Sequence, residues 1–320
     1  MSTKKRTTKK PATKTSAPKP RLGEGVVPPP GPAEDIGTLL DIERLDTNRF
    51  RGLSPASSWG RVYGGQVLAQ GLVAATRTVP AERVLHSLHG YFLLAGSPKV
   101  PIDYEVELLR DGGSFTTRRV LAMQEGRAIF AMTASFHVSE PGFAHQSRMP
   151  DVPPPEEVPP LGEVLARSDA MAPETMRAYY ARESRFDVRV VEYDRYQGAY
   201  YSAPRQHIWM KAKQPLPERP AVHAAVLVYA SDMAMIDTAL IAHGKVMFDP
   251  GMQLASLDHA LWLHRPVRAD QWLLYALESP FAGGGRGLTR GAFYSREGAL
   301  IATVSQEGLM RARSTAFVIK

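Results

Sequence analysis

The chain has no cysteine among its 320 residues. That absence removes disulfide staples and a thiolate nucleophile together, and it fits a reducing compartment. No run approaches about 18 consecutive apolar residues, so no membrane-spanning helix is predicted. The N-terminus lacks the apolar stretch of a secretory signal, and the closing Phe317-Val-Ile-Lys320 is not a peroxisomal Ser-Lys-Leu ending. A cytoplasmic location is the expectation. The chain also has no Gly-x-Ser-x-Gly elbow, no His-Glu-x-x-His pair and no Walker-type phosphate loop. No His, Asp and Glu cluster has metal-ligand spacing, so no metal is expected. The glycine run Gly283-Gly-Gly-Arg-Gly287 lacks the order of a dinucleotide fingerprint and reads as a flexible turn near a ligand mouth.

What is present describes a globular protein: 44% hydrophobic and 22% charged residues. The formal net charge of +7 comes from one end of the chain. Eight of the 39 basic residues, from Lys4 to Arg21, precede the first acidic residue, which leaves 31 basic against 32 acidic in the body. This tail, residues 1–35, is rich in Lys, Thr, Pro and Ala and has little to bury, so a disordered extension is predicted. No basic stripe with interleaved aromatics follows it, and nucleic acid is not the expected partner.

Apolar periodicity predicts a short helix near Ile36 and a strand at Arg49–Gly52. A longer helix opens at Tyr63-Gly64-Gly65-Gln66, with Val67, Leu68, Leu72 and Ala75 on one stripe. Strands follow from about Val84 to Val138, punctuated by Asp111-Gly112-Gly113 and Gln124-Glu125-Gly126 as hairpin turns. These elements form a first α+β unit, residues 36–140. Prolines from Pro141 to Pro160 mark a linker over 141–185, with a helix from about Glu174 to Arg182. A second unit, 186–320, repeats the first. A strand at Ile208–Lys213 precedes a helix over Ser231–Ala242, then come strands at Ser256–His264 and Gln271–Glu278 and a hairpin through Ser295-Arg-Glu-Gly298. Ser87-Leu88-His89 mirrors Ser256-Leu257-Asp258 at an offset of 169, and Gly65 mirrors Asp232 at 167. A period this long indicates a duplicated domain rather than a solenoid.

Three short segments carry the polar groups a water-activating site needs. Asp232 opens the second helix, Ser256 lies on the strand after it, and Gln306 lies on a late strand. A carboxylate can take a proton from water, while a hydroxyl and an amide fix its direction. Each has a plainer reading: Asp232 or Ser231 as a helix cap, Ser256 as an ordinary strand residue, Gln306 as partner to a backbone group. Asp258 and His259 are neighbours on one strand and should face opposite ways. Alternation then puts Asp258 on the face of Ser256, as support for the site or as a salt link. His86 and His89 read as packed or hydrogen-bonded within the first sheet.

Arg61-Val-Tyr-Gly-Gly-Gln-Val67, His86-Ser-Leu-His89-Gly-Tyr-Phe92, Val106-Glu-Leu-Leu-Arg-Asp-Gly-Gly-Ser-Phe115 and Met132-Thr-Ala-Ser-Phe136 resemble the first half of the acyl-CoA thioesterase II (TesB-like) family. Tyr229-Ala-Ser-Asp232, Ala255-Ser-Leu-Asp-His-Ala-Leu-Trp262 and Val304-Ser-Gln-Glu-Gly308 resemble its second half. The resemblance implies an α+β double hotdog, two tandem units that each curve an antiparallel sheet around a central helix. It implies hydrolysis of fatty acyl-CoA to free fatty acid and coenzyme A, with coenzyme A as part of the substrate and no separate cofactor. The water-organising roles then fall on Asp232, Ser256 and Gln306, with Ser256 standing where relatives commonly carry Thr. Homo-oligomers, dimers or tetramers, are a further implication. Two other readings stand beside it. One is a hotdog hydratase or dehydratase, which needs a histidine that Asp232 lacks nearby in sequence. The other is a non-catalytic acyl-binding protein, which retention of all three polar residues disfavours.

Overall fold

A computed structural model of the chain describes residues 35–55, 60–168, 173–247, 249 and 251–312. The expected basic tail lies outside these, apart from Asp35. The first unit runs α1 (Ile36–Leu40), β1 (Glu43–Asp46), β2 (Arg49–Gly52), α2 (Gly64–Thr76), β3 (Arg83–Phe92), β4 (Ile102–Asp111), β5 (Phe115–Gln124) and β6 (Arg127–Val138). The stripe of α2 is buried as its spacing requires, with Leu68 and Ala75 at 0% exposure against β4, β5 and β6. The β5–β6 turn closes at Glu125 and Gly126, whose positive φ values of 50° and 72° let a tight turn match the right-handed twist of the strands it joins.

The intervening segment holds α3 (Leu161–Ala166) and α4 (Glu174–Ala178), which passes into a π-helical turn over Tyr179–Glu183. The second unit then runs β7 (Phe186–Val190), β8 (Arg205–Ala212), α5 (Pro220–Ser231), α6 (Met235–Leu240), β9 (Met252–Ser256), β10 (Asp258–Leu263), β11 (Leu273–Gly283), β12 (Arg286–Ser295) and β13 (Leu300–Ala312). The glycine run forms the β11–β12 turn, with Gly284 and Gly285 at φ 58° and 74°.

Two expectations are corrected here. The helix predicted over Ser231–Ala242 is two helices with a break, and Asp232 is the C-cap of α5 rather than the first residue of a helix. Pro220 starts α5 at its first turn, where a missing N–H costs nothing. Ala234, at φ 64°, turns the chain before α6 begins. The strand predicted over Ser256–His264 is also two pieces, divided at Leu257. Every α5 residue from His223 to Ser231 is buried, so no apolar stripe marks it in the sequence. The segment Pro220–His243 is long and apolar enough to cross a membrane, but 89% of that window is buried inside the fold, as a core helix would be.

The strands form one 13-stranded sheet in the order β1-β2-β4-β5-β6-β3-β10-β13-β12-β11-β8-β7, with β9 paired to β13. The units join at β3 and β10, which pair antiparallel with Leu88 opposite Leu261 and His89 opposite Ala260. Inside this sheet α2 packs on α5, and α6 packs on β11, β12 and β13. Buried side chains such as Val226, Leu227 and Val228 each contribute roughly 1.5–3 kcal/mol relative to exposure. The helix ends therefore meet at the seam between the units.

Candidate active site

Asp232 sits at that seam. Its Oδ2 accepts the backbone N–H of Gly65 at 2.8 Å, so the carboxylate lies at the N-terminus of α2, in the other unit. Unpaired N–H groups and the positive end of the dipole favour a negative charge there. The approach depends on glycine: a Cβ on Gly65 would lie 2.4 Å from the Tyr229 carbonyl oxygen. The break after α5 is pinned from two sides, with the Tyr63 hydroxyl donating to the Tyr229 carbonyl at 3.1 Å and the Tyr275 hydroxyl to the Ser231 carbonyl at 2.7 Å. Burial, reinforced by the Asp232 charge, pushes both phenols well above their usual range, so they stay neutral donors.

The three predicted residues meet. The Ser256 hydroxyl donates to Asp232 Oδ1 at 3.3 Å, and Gln306 Nε2 donates to Ser256 Oγ at 3.1 Å. Gln306, at 2% exposure, stands behind Ser256. Asp232 borders two cavities. A larger one of about 280 Å³ includes Phe92, Phe130 and Ser256 in its walls, and a smaller one of about 50 Å³ includes Tyr180, Tyr196 and Ile208. Tyr63 and Met247 also belong to both walls. In the wall of the larger cavity, Arg61 donates twice to the Leu254 carbonyl at 3.1 Å; burial lowers its pKa and the nearby Asp232 carboxylate opposes that shift.

The expectation that Asp258 shares the face of Ser256 and His259 turns away is corrected. Along the β13 ladder, Gly308 faces Ser256 and Ser305 faces Ala260, so three steps on β13 match four on β9–β10. This bulge at Leu257 reverses the alternation and puts His259, not Asp258, with Ser256. Asp258 points the other way, accepting from the Glu307 N–H at 2.7 Å and from His89 Nε2 at 3.2 Å. His86 bonds Ser135 at 2.8 Å within the first sheet, as expected, whereas His89 reaches across the seam. Gly65 was missed as a site residue. Its only local signal is the Gly-Gly pair at a helix start, which permits close backbone approach. Among the described residues, no group of three or more His, Asp or Glu side chains is placed to hold a metal.

A model of the acyl-CoA thioesterase family matches residues 176–309, and one of the acyl-CoA thioesterase N-terminal domain matches 54–137. Acyl-CoA thioesterase 2 of Haemophilus influenzae is 40% identical over 273 residues, covering 85% of this chain and 96% of the relative. Mouse acyl-coenzyme A thioesterase 8 is 40% identical over 291 residues, covering 86% and 88%. The crystal structure of acyl-CoA thioesterase II TesB2 from Mycobacterium marinum superposes with a TM-score of 0.72 at 41% identity, covering 86% of this chain and 98% of that one. A hotdog-fold protein from Alicyclobacillus acidocaldarius, at 20% identity and TM-score 0.67, shares the fold. With the tandem hotdog units and these relatives across most of its length, the chain belongs to the acyl-CoA thioesterase II (TesB-like) family of thioester hydrolases.

Proposed function

We propose that the chain hydrolyses fatty acyl-CoA to free fatty acid and coenzyme A with a water activated at Asp232. The observation that carries this reading is the position of the carboxylate, fixed by the Gly65 N–H and the Ser256 hydroxyl where two cavities meet. A thioester carbonyl placed at Asp232 has the larger cavity, about 280 Å³ and walled by Phe92 and Phe130, beside it for one of its two arms. Water adds to the carbonyl carbon and gives a proton to Asp232. The tetrahedral intermediate then collapses with cleavage of the C–S bond, and the leaving coenzyme A thiolate takes the proton from Asp232, restoring the carboxylate. Ser256 aligns the carboxylate. The Gln306 amide carries two hydrogens; one goes to Ser256, and we assign the other to the water.

The hydratase reading needs a histidine with a ring nitrogen open to substrate. His259 is the histidine nearest this role, but it is 0% exposed and both of its nitrogens bond protein groups. That favours hydrolysis. Asp232→Asn keeps the shape and removes the base, so thiol release should fall by about 10²–10⁴-fold. Gln306→Ala should also lose activity. Wild-type turnover by Asp232→Asn would reduce Asp232 to a helix cap and end this mechanism.

A further inference from the structure

His259 is fully buried behind the candidate site and belongs to the wall of neither cavity at Asp232. Its Nδ1 lies 2.6 Å from Gln306 Oε1 and its Nε2 lies 2.9 Å from Ser231 Oγ. Ser231 is the residue before Asp232. The side chains of Ser231, His259, Gln306, Ser256 and Asp232 therefore form a ring of hydrogen bonds closed by a single peptide unit.

The directions of the bonds that run from Asp232 through Ser256 and Gln306 to His259 follow from one fact. An ionised carboxylate only accepts. Ser256 has one proton, and giving it to Asp232 leaves the hydroxyl oxygen free to accept from Gln306. Gln306 must then turn its NH₂ toward Ser256 and its carbonyl oxygen toward His259. That oxygen accepts only, so Nδ1 carries the ring hydrogen. Burial lowers the pKa of His259 and keeps the ring neutral, so Nε2 is left as an acceptor 2.9 Å from the Ser231 hydroxyl, whose proton also has the Val228 carbonyl oxygen within reach at 2.8 Å. With the Gln306 amide reversed, its oxygen would compete for the Ser256 proton and its NH₂ would be lost to the site.

We infer that His259 is a positioning residue: its Nδ1–H locks the Gln306 amide in the orientation that leaves the Ser256 proton on Asp232 and a donor facing the water. This rests on the Asp232–Ser256–Gln306 reading above. It assigns His259 no contact with substrate.

The test is a set of variants assayed by thiol release and checked by thermal melting. His259→Leu fills the space without a donor, and kcat should fall about 10–100-fold, the scale of a misaligned reacting group, with KM within a few-fold. His259→Asn can present its side-chain N–H where Nδ1 stood, so it should recover most of the rate. In a Gln306→Ala background, His259→Leu should cost nothing further, because the amide it positions is gone. Multiplying losses in the double variant, or a folded His259→Leu with wild-type kcat, would overturn the inference. Should His259→Leu not fold, the contrast moves to His259→Asn and Ser231→Ala. Ser231→Ala frees the ring to change tautomer, so it should lower kcat a few-fold and lose that effect in the Gln306→Ala background; an unchanged kcat, or a loss that persists there, would overturn it. The underlying site reading fails separately: Gln306→Ala at the wild-type rate would sink that reading, whereas an inactive Gln306→Ala with an indifferent His259→Leu would sink only the role of His259.

Discussion

At Gly65 a single hydrogen atom decides whether two helices can meet. A methyl group there would press on the Tyr229 carbonyl oxygen at 2.4 Å and on Tyr63 Cε1 at 2.6 Å. Real Cβ atoms do not approach so closely, and one of these partners is backbone, which cannot swing aside. Gly65→Ala should therefore push α2 from the end of α5, costing about 1–3 kcal/mol in stability. It should lower kcat by at least about tenfold, as the Asp232 carboxylate loses its N–H partner. Melting and thiol-release rates check both, and a wild-type rate would show that this contact does not place Asp232. At this scale Asp232, Ser256 and Gln306 were legible through the ordered motifs around them. Gly65 was not, because its partner lies 167 residues away and contacts of that range leave no local pattern. His259 was visible as a residue and misread in direction, since alternation was counted through a bulge.

Among the elements, the bulge at Leu257 has the largest effect on the site. Leu257 donates its N–H to the Glu307 carbonyl and accepts from the Phe92 N–H, both at 2.9 Å, so the extra residue also ties the units together. Deleting Leu257 would restore simple alternation with Ser256 and His259 two apart and still on one face, but it would remove both of these bonds and let the seam beside Asp232 shift. Hydrolysis should fall by about 10²-fold or more; near-normal rates would show that the ladder re-forms around the loss. Tight turns such as Glu125-Gly126 were legible because their φ values demand particular residues. The α2 stripe was legible because Gln66 and Gln70, one turn apart, give that helix a polar side even though it is buried. The start of α5 was hidden for the opposite reason: a helix buried all round has no polar face to reveal its period.

Across the whole molecule, one sheet runs through both units and encloses histidines that resist charging. His223 is 2% exposed and accepts the Ala269 N–H on Nδ1 at 3.2 Å. Burial lowers its pKa below the ordinary 6.5, as burial also does for His259. The unfolded chain then takes up protons first as pH falls. Stability is complete above the ordinary histidine pKa and is lost progressively below it. Melting temperature should drop between pH 7.5 and 5.5, and less steeply for His223→Asn, whose side-chain oxygen can still accept from Ala269. Parallel slopes for both proteins would show that His223 does not contribute.

The repeat sets Gly65 opposite Asp232, and in the fold these two residues touch. The strand order runs outward alike on both sides of the antiparallel β3–β10 pair, so an approximate twofold axis relates the units, and counterparts that touch must lie close to it. Two separate, identical subunits around such an axis would have to carry the same residue at both places. Glycine at both would supply no carboxylate. Aspartate at both would oppose two like charges, with a Cβ where none fits. Covalent fusion releases the halves from that obligation, so one keeps the acid while the other keeps the bare helix end that receives it. The duplicated chain has thus exchanged two equal chances at chemistry for a single asymmetric centre, and its first half serves that centre as a mould.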